Sequence, residues 1–422
     1  MLGQEARPTS LFSVRSFVLL FLTRMGSNTA NQMLAVAAGW QIYDLTGSAF
    51  NLGLVGLVQF LPPLTLTLVS GHAADYRDRR LILRCCYAVE FCVAIGLIVL
   101  SSLQAPPLLA FYGVLFCNAV ARTFEGPSLQ SLLPTLVPRE LLGRAVAANS
   151  MVSRLSLLLG PSIGGILYAL GPRADYLTCS ALVAVAAVSS WLLPAPPPAP
   201  PRETQDWRTL FGGLAFIWQT KPMLGAMSLD LVATLFGGMT ALLPIFARDI
   251  LHIGPWGFGL LRSAPALGGL VTAGLLSHFP LGRRGGWFIF IGMGVYGIGT
   301  IAFAFSHNAT ISILLLLMIG MGDMLSGVTR QTLIQILAPD DTRGRVLAVN
   351  TLFNNTAGQL GMFESGVTAA WFGTAGSVIF GGIAVLTVTG LWIKLFPALH
   401  QIDWRKQVME HRHDGAEIKH KA

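Results

Sequence analysis

The stretch from Arg122 to Gly165 decides the fold. It starts with Arg122-Thr-Phe-Glu125-Gly126 inside one apolar run and ends with Gly160-Pro161-Ser-Ile-Gly164-Gly165 inside the next. Between the two runs lies the charged segment Pro138-Arg139-Glu140-Leu-Leu-Gly143-Arg144. Two apolar runs joined by a short charged turn predict two membrane-spanning helices joined by a hairpin.

The chain contains this hairpin twice. A shift of 201 residues matches nine identical residues over 24 positions without a gap, against roughly two or three expected by chance in so apolar a sequence. A shift close to half the chain length indicates two copies of one unit, the parallel repeat found in one large class of transporters. The matched residues of the first copy are Gly126, Gln130, Leu132, Leu136, Pro138, Gly143, Arg144, Ala147 and Asn149.

Composition places the chain in the membrane. Of its 422 residues, 53% are hydrophobic and 11% are charged, whereas soluble domains contain about 25% charged residues. Twelve apolar runs of about 20 residues, the length needed to cross a bilayer, occur between Ser16 and Phe396. The predicted fold is all-α, with twelve transmembrane helices in two pseudo-symmetric bundles of six. The net charge of +8 reflects loop Lys and Arg of a membrane protein and does not predict nucleic-acid binding.

Proline content and charge divide the chain further. We predict a six-helix bundle over residues 1–193, a proline-rich linker with a surface helix over 194–221, a second bundle over 222–398 and a polar tail over 399–422. Nearly all loop Lys and Arg lie in the tails, the linker and alternate loops, and the opposite face carries only Arg173 and Arg248. Both termini are therefore expected in the cytoplasm of a cell inner membrane protein.

Three motifs resemble those of the major facilitator superfamily. The segment Gly71-His-Ala-Ala-Asp75-Tyr-Arg77-Asp78-Arg79-Arg80 resembles its loop motif between spans 2 and 3, although Arg77 is displaced by one position and Asp78 replaces a glycine. Arg122-x-x-Glu125-Gly126 resembles its span 4 motif, with Glu125 in place of glutamine. Gly160, Pro161, Gly164 and Gly165 resemble the span 5 motif of its antiporters. The resemblance is greatest to twelve-span efflux permeases and implies transport by alternating access.

Five charged residues fall in spans that line the central cavity of the superfamily fold. Arg24 and Asp230 each lie nine residues beyond a cytoplasmic basic residue, a depth of roughly 13 Å. Ionisable groups at membrane depth are costly and mark functional sites or paired helices. We expect a proton-coupling site here, with Asp230 opposite Arg24 as the strongest candidate, or else salt bridges that only lock the helices. The candidates are Asp230, Glu125, Asp323, Arg122 and Arg24.

The remaining candidates concern the substrate and the gate. Polar, aromatic and sulfur side chains that suit an amphipathic ligand are Asn28, Asn31, Gln32, Phe236, Met239 and Glu364. By resemblance, Gly71, Asp75, Arg79 and Arg80 form a gate, with a tight turn at Gly71; the alternative is a basic loop that sets topology. The span 5 residues Gly160, Pro161, Gly164 and Gly165 permit close helix contact and a kink; the alternative is that the glycines only serve ordinary packing. Glu90 has no assigned role.

These observations favour a monomeric secondary transporter without a cofactor, which exchanges protons for a small amphipathic molecule such as a siderophore or a drug. A lipid or metabolite carrier of the same fold is the alternative. A membrane-embedded enzyme is disfavoured because no nucleophile–base pair or metal cluster occurs at helical spacing.

Overall fold

The computed structural model describes residues 10–194, 207–279 and 285–401, apart from the side chains of Leu68, Asp75, 207–211, Asp340 and Asp341. Most of the expected linker and tail therefore lies outside the described residues. Within the described part the chain consists of helices and turns and has no strand. The prediction of an all-α fold is confirmed.

Six long helices cover the first half of the chain. Helix α1 ends at Gly47, which adopts the left-handed conformation (φ 59°) and donates its N–H to Tyr43 O at 2.8 Å. Glycine meets no steric penalty in this conformation, so it closes the helix and starts the turn to α2. The helices are α1 (Arg15–Thr46), α2 (Ala49–Tyr76), α3 (Arg79–Leu100), α4 (Leu108–Leu136), α5 (Leu142–Ala169) and α6 (Pro172–Trp191).

The second half repeats the first with additions. A 13-residue helix, α7, is too short to cross a bilayer and begins where the sequence predicts a surface helix. Short 3₁₀ and π turns interrupt the membrane span that begins with α8. The helices are α7 (Trp207–Gln219), α8 (Lys221–Phe236), α9 (Leu243–Ile245), α10 (Gly254–His278), α11 (Gly286–Ala304), α12 (Ala309–Leu337), α13 (Asp340–Leu395) and α14 (Pro397–Gln401).

Twelve membrane spans can be counted from these helices. Ten helical stretches among the described residues are long and apolar enough to cross a membrane. One of them, α13, has 56 residues and is two helices joined at Gly373, whose φ of 77° and ψ of 163° are not helical. Helix α1 is long enough at 32 residues, and Arg24, Asn28, Asn31 and Gln32 make it more polar than the others.

The chain divides into two compact units. Among the described residues, the first contains 10–47, 58–194 and 253–263, and the second contains 48–57, 207–252, 264–279 and 285–401. In the first unit α1 packs on α5 and α6, and α3 packs on α4 and α6. In the second unit α13 packs on α8 and α11, and α11 packs on α12. Helices α4 and α12 both have 29 residues and begin 201 residues apart, so the sequence repeat is also a structural repeat.

Candidate functional site

The first unit contains a buried ion pair on α4. Arg122 and Glu125 lie one turn apart and form a salt bridge, with 2% of the Glu125 side chain exposed. Arg122 also donates to Ser27 Oγ at 2.8 Å and to Asn28 Oδ1 at 3.0 Å, both on α1. The hydroxyl of Tyr87 on α3 donates to the other oxygen of Glu125 at 3.0 Å. Three helices therefore hold this pair.

Glu90 joins the same cluster, although the sequence predicts no role for it. Its side chain is 4% exposed and accepts a hydrogen bond from Ser27 Oγ to Oε2 at 3.1 Å. It also interacts electrostatically with Arg122 and with Glu125. The signal available in the sequence was an acid inside an apolar run, which is costly unless it has a partner.

Arg24 binds within the first unit. Its guanidinium donates to Ser153 Oγ on α5 at 3.2 Å, and its strongest electrostatic partners are Glu125 and Arg122. The cluster thus contains two acids and two arginines, with Arg24 near Glu125.

Asp230 in the second unit has a different partner from the expected one. It forms a salt bridge with Arg330 of α12, and the two side chains are 5% and 10% exposed. Asn354 of α13 lies beside Asp230. The partner that the structure gives Asp230 is thus Arg330, and the pairing with Arg24 stays a prediction. The sequence could not show that Arg330, one hundred residues further along, faces Asp230.

Asp323 lies near this pair and stays accessible. It interacts electrostatically with both Asp230 and Arg330, and its side chain is exposed. Tyr296 of α11 interacts with both acids. The second unit therefore also groups two acids with a buried arginine.

The substrate candidates fall into two groups. Asn28, Asn31 and Gln32 of α1 are half-buried in the first unit, and Asn31 Oδ1 accepts from Asn118 Nδ2 at 3.1 Å. Their polar groups are partly used by protein contacts.

In the second unit, Phe236 packs edge-on against Phe380 with ring centroids 5.9 Å apart. Met239 is buried at 4% exposure, which favours a packing role. Glu364 is half-buried, and its Oε1 atom has no hydrogen-bond donor. Glu364 is thus an acid of the second unit with unused hydrogen-bonding capacity.

The loop between α2 and α3 is shorter than the sequence predicts. Helix α2 continues through Gly71 to Tyr76, so the expected tight turn at Gly71 is wrong. The break falls at Arg77 and Asp78 instead. Asp78 caps α3 by accepting from the Arg80 N–H at 2.9 Å. Burial raises the pKa of Asp78, but hydrogen bonds and the charge of Arg80 outweigh it and leave that pKa below its usual value. The cap explains an acid where the motif has glycine.

Two arginines of this motif bind backbone carbonyls of the first unit. Arg79 is buried and donates to Ala74 O at 2.9 Å and to Ser131 O of α4 at 3.1 Å. Arg80 donates to Leu193 O, beyond the end of α6, at 3.3 Å. Cations stabilise the carbonyl ends of helices, so these contacts fix the loop within its unit. The side chain of Asp75 lies outside the described residues, and its gating role stays a prediction.

The glycine motif of α5 packs closely against neighbouring helices. A Cβ atom at Gly160 would lie 2.6 Å from Cβ of Gln32, and one at Gly164 would lie 2.9 Å from Cα of Met33. On another face, a Cβ at Gly165 would lie 2.9 Å from Cα of Gly259 of α10. Helix α5 is continuous from Leu142 to Ala169 and includes Pro161. Close packing is therefore what the structure shows at these glycines.

Twelve spans in a repeated arrangement, with buried acid–arginine pairs in each unit, define a secondary transporter of the membrane. A family model described as a transmembrane secretion effector matches residues 6–421. The chain belongs to this family of the major facilitator type, as its motifs indicated. The family and the relatives below are transporters, which confirms that the chain is not an enzyme.

Relatives and solved structures agree with this assignment. The chain is 26% identical to an enterobactin exporter, EntS, of Citrobacter koseri over 90% of this chain and 91% of the relative. It is 26% identical to the EntS of an Escherichia coli strain over 88% and 90% of the two chains. A bacterial homologue of the lysosomal transporter Spinster has the same fold, with a TM-score of 0.72, 12% identity and coverage of 93% and 97%. A POT family transporter in complex with 5-aminolevulinic acid aligns with a TM-score of 0.72, 14% identity and coverage of 94% and 98%.

Proposed function

We propose that this chain is a proton-coupled antiporter that exports a siderophore or a similar small amphipathic molecule by alternating access. The observation that carries the proposal is the buried acid–arginine pair in each unit, Arg122 with Glu125 and Arg330 with Asp230. A buried carboxylate is stabilised either by a nearby cation or by a proton. A helix movement that separates the acid from its arginine therefore favours proton uptake, and the reverse movement favours release.

Similarity supports the direction and the substrate class. The relatives that match most of this chain are named enterobactin exporters, and the glycines of α5 match the motif associated with antiporters. We propose a monomer in the cell inner membrane, with both termini in the cytoplasm, as the loop charges favour. A lipid or metabolite carrier remains the alternative, and nothing in either unit favours it over export.

The experiment uses purified full-length protein in proteoliposomes with enterobactin as the probe. An imposed pH gradient should drive accumulation of enterobactin against its own gradient, together with a proton flux reported by an enclosed pH-sensitive dye. Glu125→Gln should abolish the accumulation because glutamine cannot exchange a proton. Glu140→Gln, which replaces an exposed acid in the hairpin after α4, should behave like the wild type.

Two outcomes would count against the proposal. Accumulation that is insensitive to the pH gradient would reject proton coupling. Gradient-driven proton flux that responds to other amphipathic compounds but never to enterobactin would keep the antiporter and reject the siderophore.

A further inference from the structure

Glu90 is the buried acid that the proposed function leaves unused. It lies on α3, facing α4, and 96% of its side chain is buried. Its Oε2 atom accepts from Ser27, but its Oε1 atom has no donor when both nearby acids are counted as carboxylates. A buried carboxylate oxygen without a donor is costly, so the site needs either a cation or a proton there.

The nearest cation is already occupied. Arg122 forms its salt bridge with Glu125 and reaches the Glu90 side only through Ser27, whose hydroxyl accepts from Arg122 and donates to Glu90. Arg24 donates to Ser153 of α5 and interacts electrostatically with Glu125. Arg122 is thus the guanidinium that contacts both acids, Glu125 directly and Glu90 through Ser27.

The two acids are held in one cluster. Tyr87, one turn from Glu90 on α3, donates to Glu125, and the Arg122 nitrogen that binds Glu125 also donates to Ser27, which in turn donates to Glu90. Two neighbouring carboxylates cannot hydrogen-bond to each other when both are charged, because neither has a hydrogen to donate. With one proton between them, one acid donates to the other, and the pair carries a single negative charge that Arg122 balances.

We propose that Glu90 and Glu125 form a carboxyl pair that shares one proton and is the proton-binding site of the first unit. In this pair, Glu125 binds Arg122, and Ser27 accepts a hydrogen bond from Arg122 and donates one to Glu90. The role of this proton in transport rests on the proposed function, whereas the existence of the pair does not.

The surroundings of the pair are defined by the helices packed around it. Helix α3 brings Tyr87, which donates to Glu125, and Cys86, which interacts with both acids. Helix α4 brings Arg122, and α1 brings Arg24 and Ser27. Helix α6 also packs on α3, and the acid it carries, Asp175, lies in its first turn beside Cys179.

Infrared spectroscopy tests the pair directly. The full-length protein in lipid nanodiscs, without substrate or gradient, is titrated with pH, and the carbonyl band of protonated carboxylic acid is followed in H₂O and D₂O. At neutral pH, Glu90→Gln should reduce the intensity of this band by the contribution of one protonated carboxyl group. Glu125→Gln should reduce it by the same amount, because Arg122 then neutralises Glu90. The double variant should lose no more than either single variant, since only one proton is shared.

An exposed acid of the hairpin after α4 serves as the control. Glu140→Gln, at an exposed acid, should leave the neutral-pH band unchanged. A band that survives Glu90→Gln in full, or losses that add up in the double variant, would overturn the shared proton. If Glu90→Gln does not fold, Ser27→Ala takes its place. It removes a donor to charged Glu90 and should strengthen the band at neutral pH, and a weaker or unchanged band would contradict the proposal.

A transport assay distinguishes failure of the carboxyl pair from failure of the proposed function. In proteoliposomes, Glu90→Gln should lose the dependence of enterobactin accumulation on the pH gradient. If the wild type shows no gradient-driven accumulation, the proposed function fails, and the infrared result alone decides whether the pair exists. If the wild type is gradient-driven and Glu90→Gln remains equally so, the pair is rejected as the proton-binding site.

Discussion

The ion pair of Asp230 and Arg330 leaves 5% and 10% of the two side chains exposed. Removal of one partner leaves the other charge buried and unpaired. Asp230→Asn or Arg330→Gln should therefore lower the free energy of unfolding by about 3–5 kcal/mol. The double change leaves two neutral groups and should recover most of this loss. Thermal unfolding of the purified protein in lipid-containing detergent measures all three variants.

The control for this prediction is an exposed acid in the same unit. Asp249 lies 3.9 Å from Arg248 with 48% of its side chain exposed, and exposed pairs contribute about 0–1 kcal/mol. Asp249→Asn should therefore unfold close to the wild type. Single variants of Asp230 and Arg330 that also unfold like the wild type would show that the buried pair contributes nothing to stability.

Local spacing predicted only part of the charge network. Arg122 and Glu125 lie three residues apart on one helix, and such residues are neighbours on its surface, so their pairing could be read directly. Glu90 joins the Arg122–Glu125 cluster from α3 through Ser27, and Asp230 of α8 pairs with Arg330 of α12. Those contacts depend on how the helices rotate about their axes, which neither composition nor the position of a span reveals.

At the scale of the helix, the glycines of α5 differ from glycines that face open space. A Cβ at Gly164 would lie 2.9 Å from Cα of Met33, whereas one at Gly113 of α4 would have no atom within 4 Å. Gly164→Ala should therefore destabilise the first unit, since α1 must shift to admit the methyl group. Gly113→Ala should be neutral or stabilising by up to about 1 kcal/mol, because alanine favours helix over glycine.

The same thermal unfolding assay measures this pair of variants, with the retention volume in size-exclusion chromatography as a check on folding. Equal melting temperatures for Gly164→Ala and Gly113→Ala would contradict the close packing of α1 on α5. The pairing of variants separates the steric cost at Gly164 from the intrinsic preference of alanine for helix, which acts at both positions.

A glycine in the sequence does not by itself predict a helix end. Gly47 ends α1 in the left-handed conformation. Gly71 was expected to turn, but the helix passes through it, because glycine permits a turn without requiring one. The N-cap at Asp78 supplies the actual helix start.

The two units repeat one architecture without repeating its charges. The shift of 201 residues that superimposes α4 on α12 places Asp323 where the first unit has Arg122, and Ser326 where it has Glu125. The first unit forms its salt bridge within α4, whereas the second forms it between α8 and α12. The repeat therefore predicted the helices, whose apolar faces are shared, and not the acid–arginine pairs, which each unit arranges in its own way.

The orientation of the whole chain in the membrane provides the last prediction. An even number of spans places both termini and the linker between α6 and α7 on one side, and the distribution of Lys and Arg places that side in the cytoplasm. Epitope tags at the N-terminus, at the C-terminus and within residues 195–206 should be accessible only after the inner membrane is permeabilised. A tag beside His307, in the exposed turn between α11 and α12, should be accessible in spheroplasts without permeabilisation. A linker tag that is accessible from outside would require an odd number of spans in the first half. In that case α1, whose polar residues set it apart from the other spans, would be the helix to remove from the count.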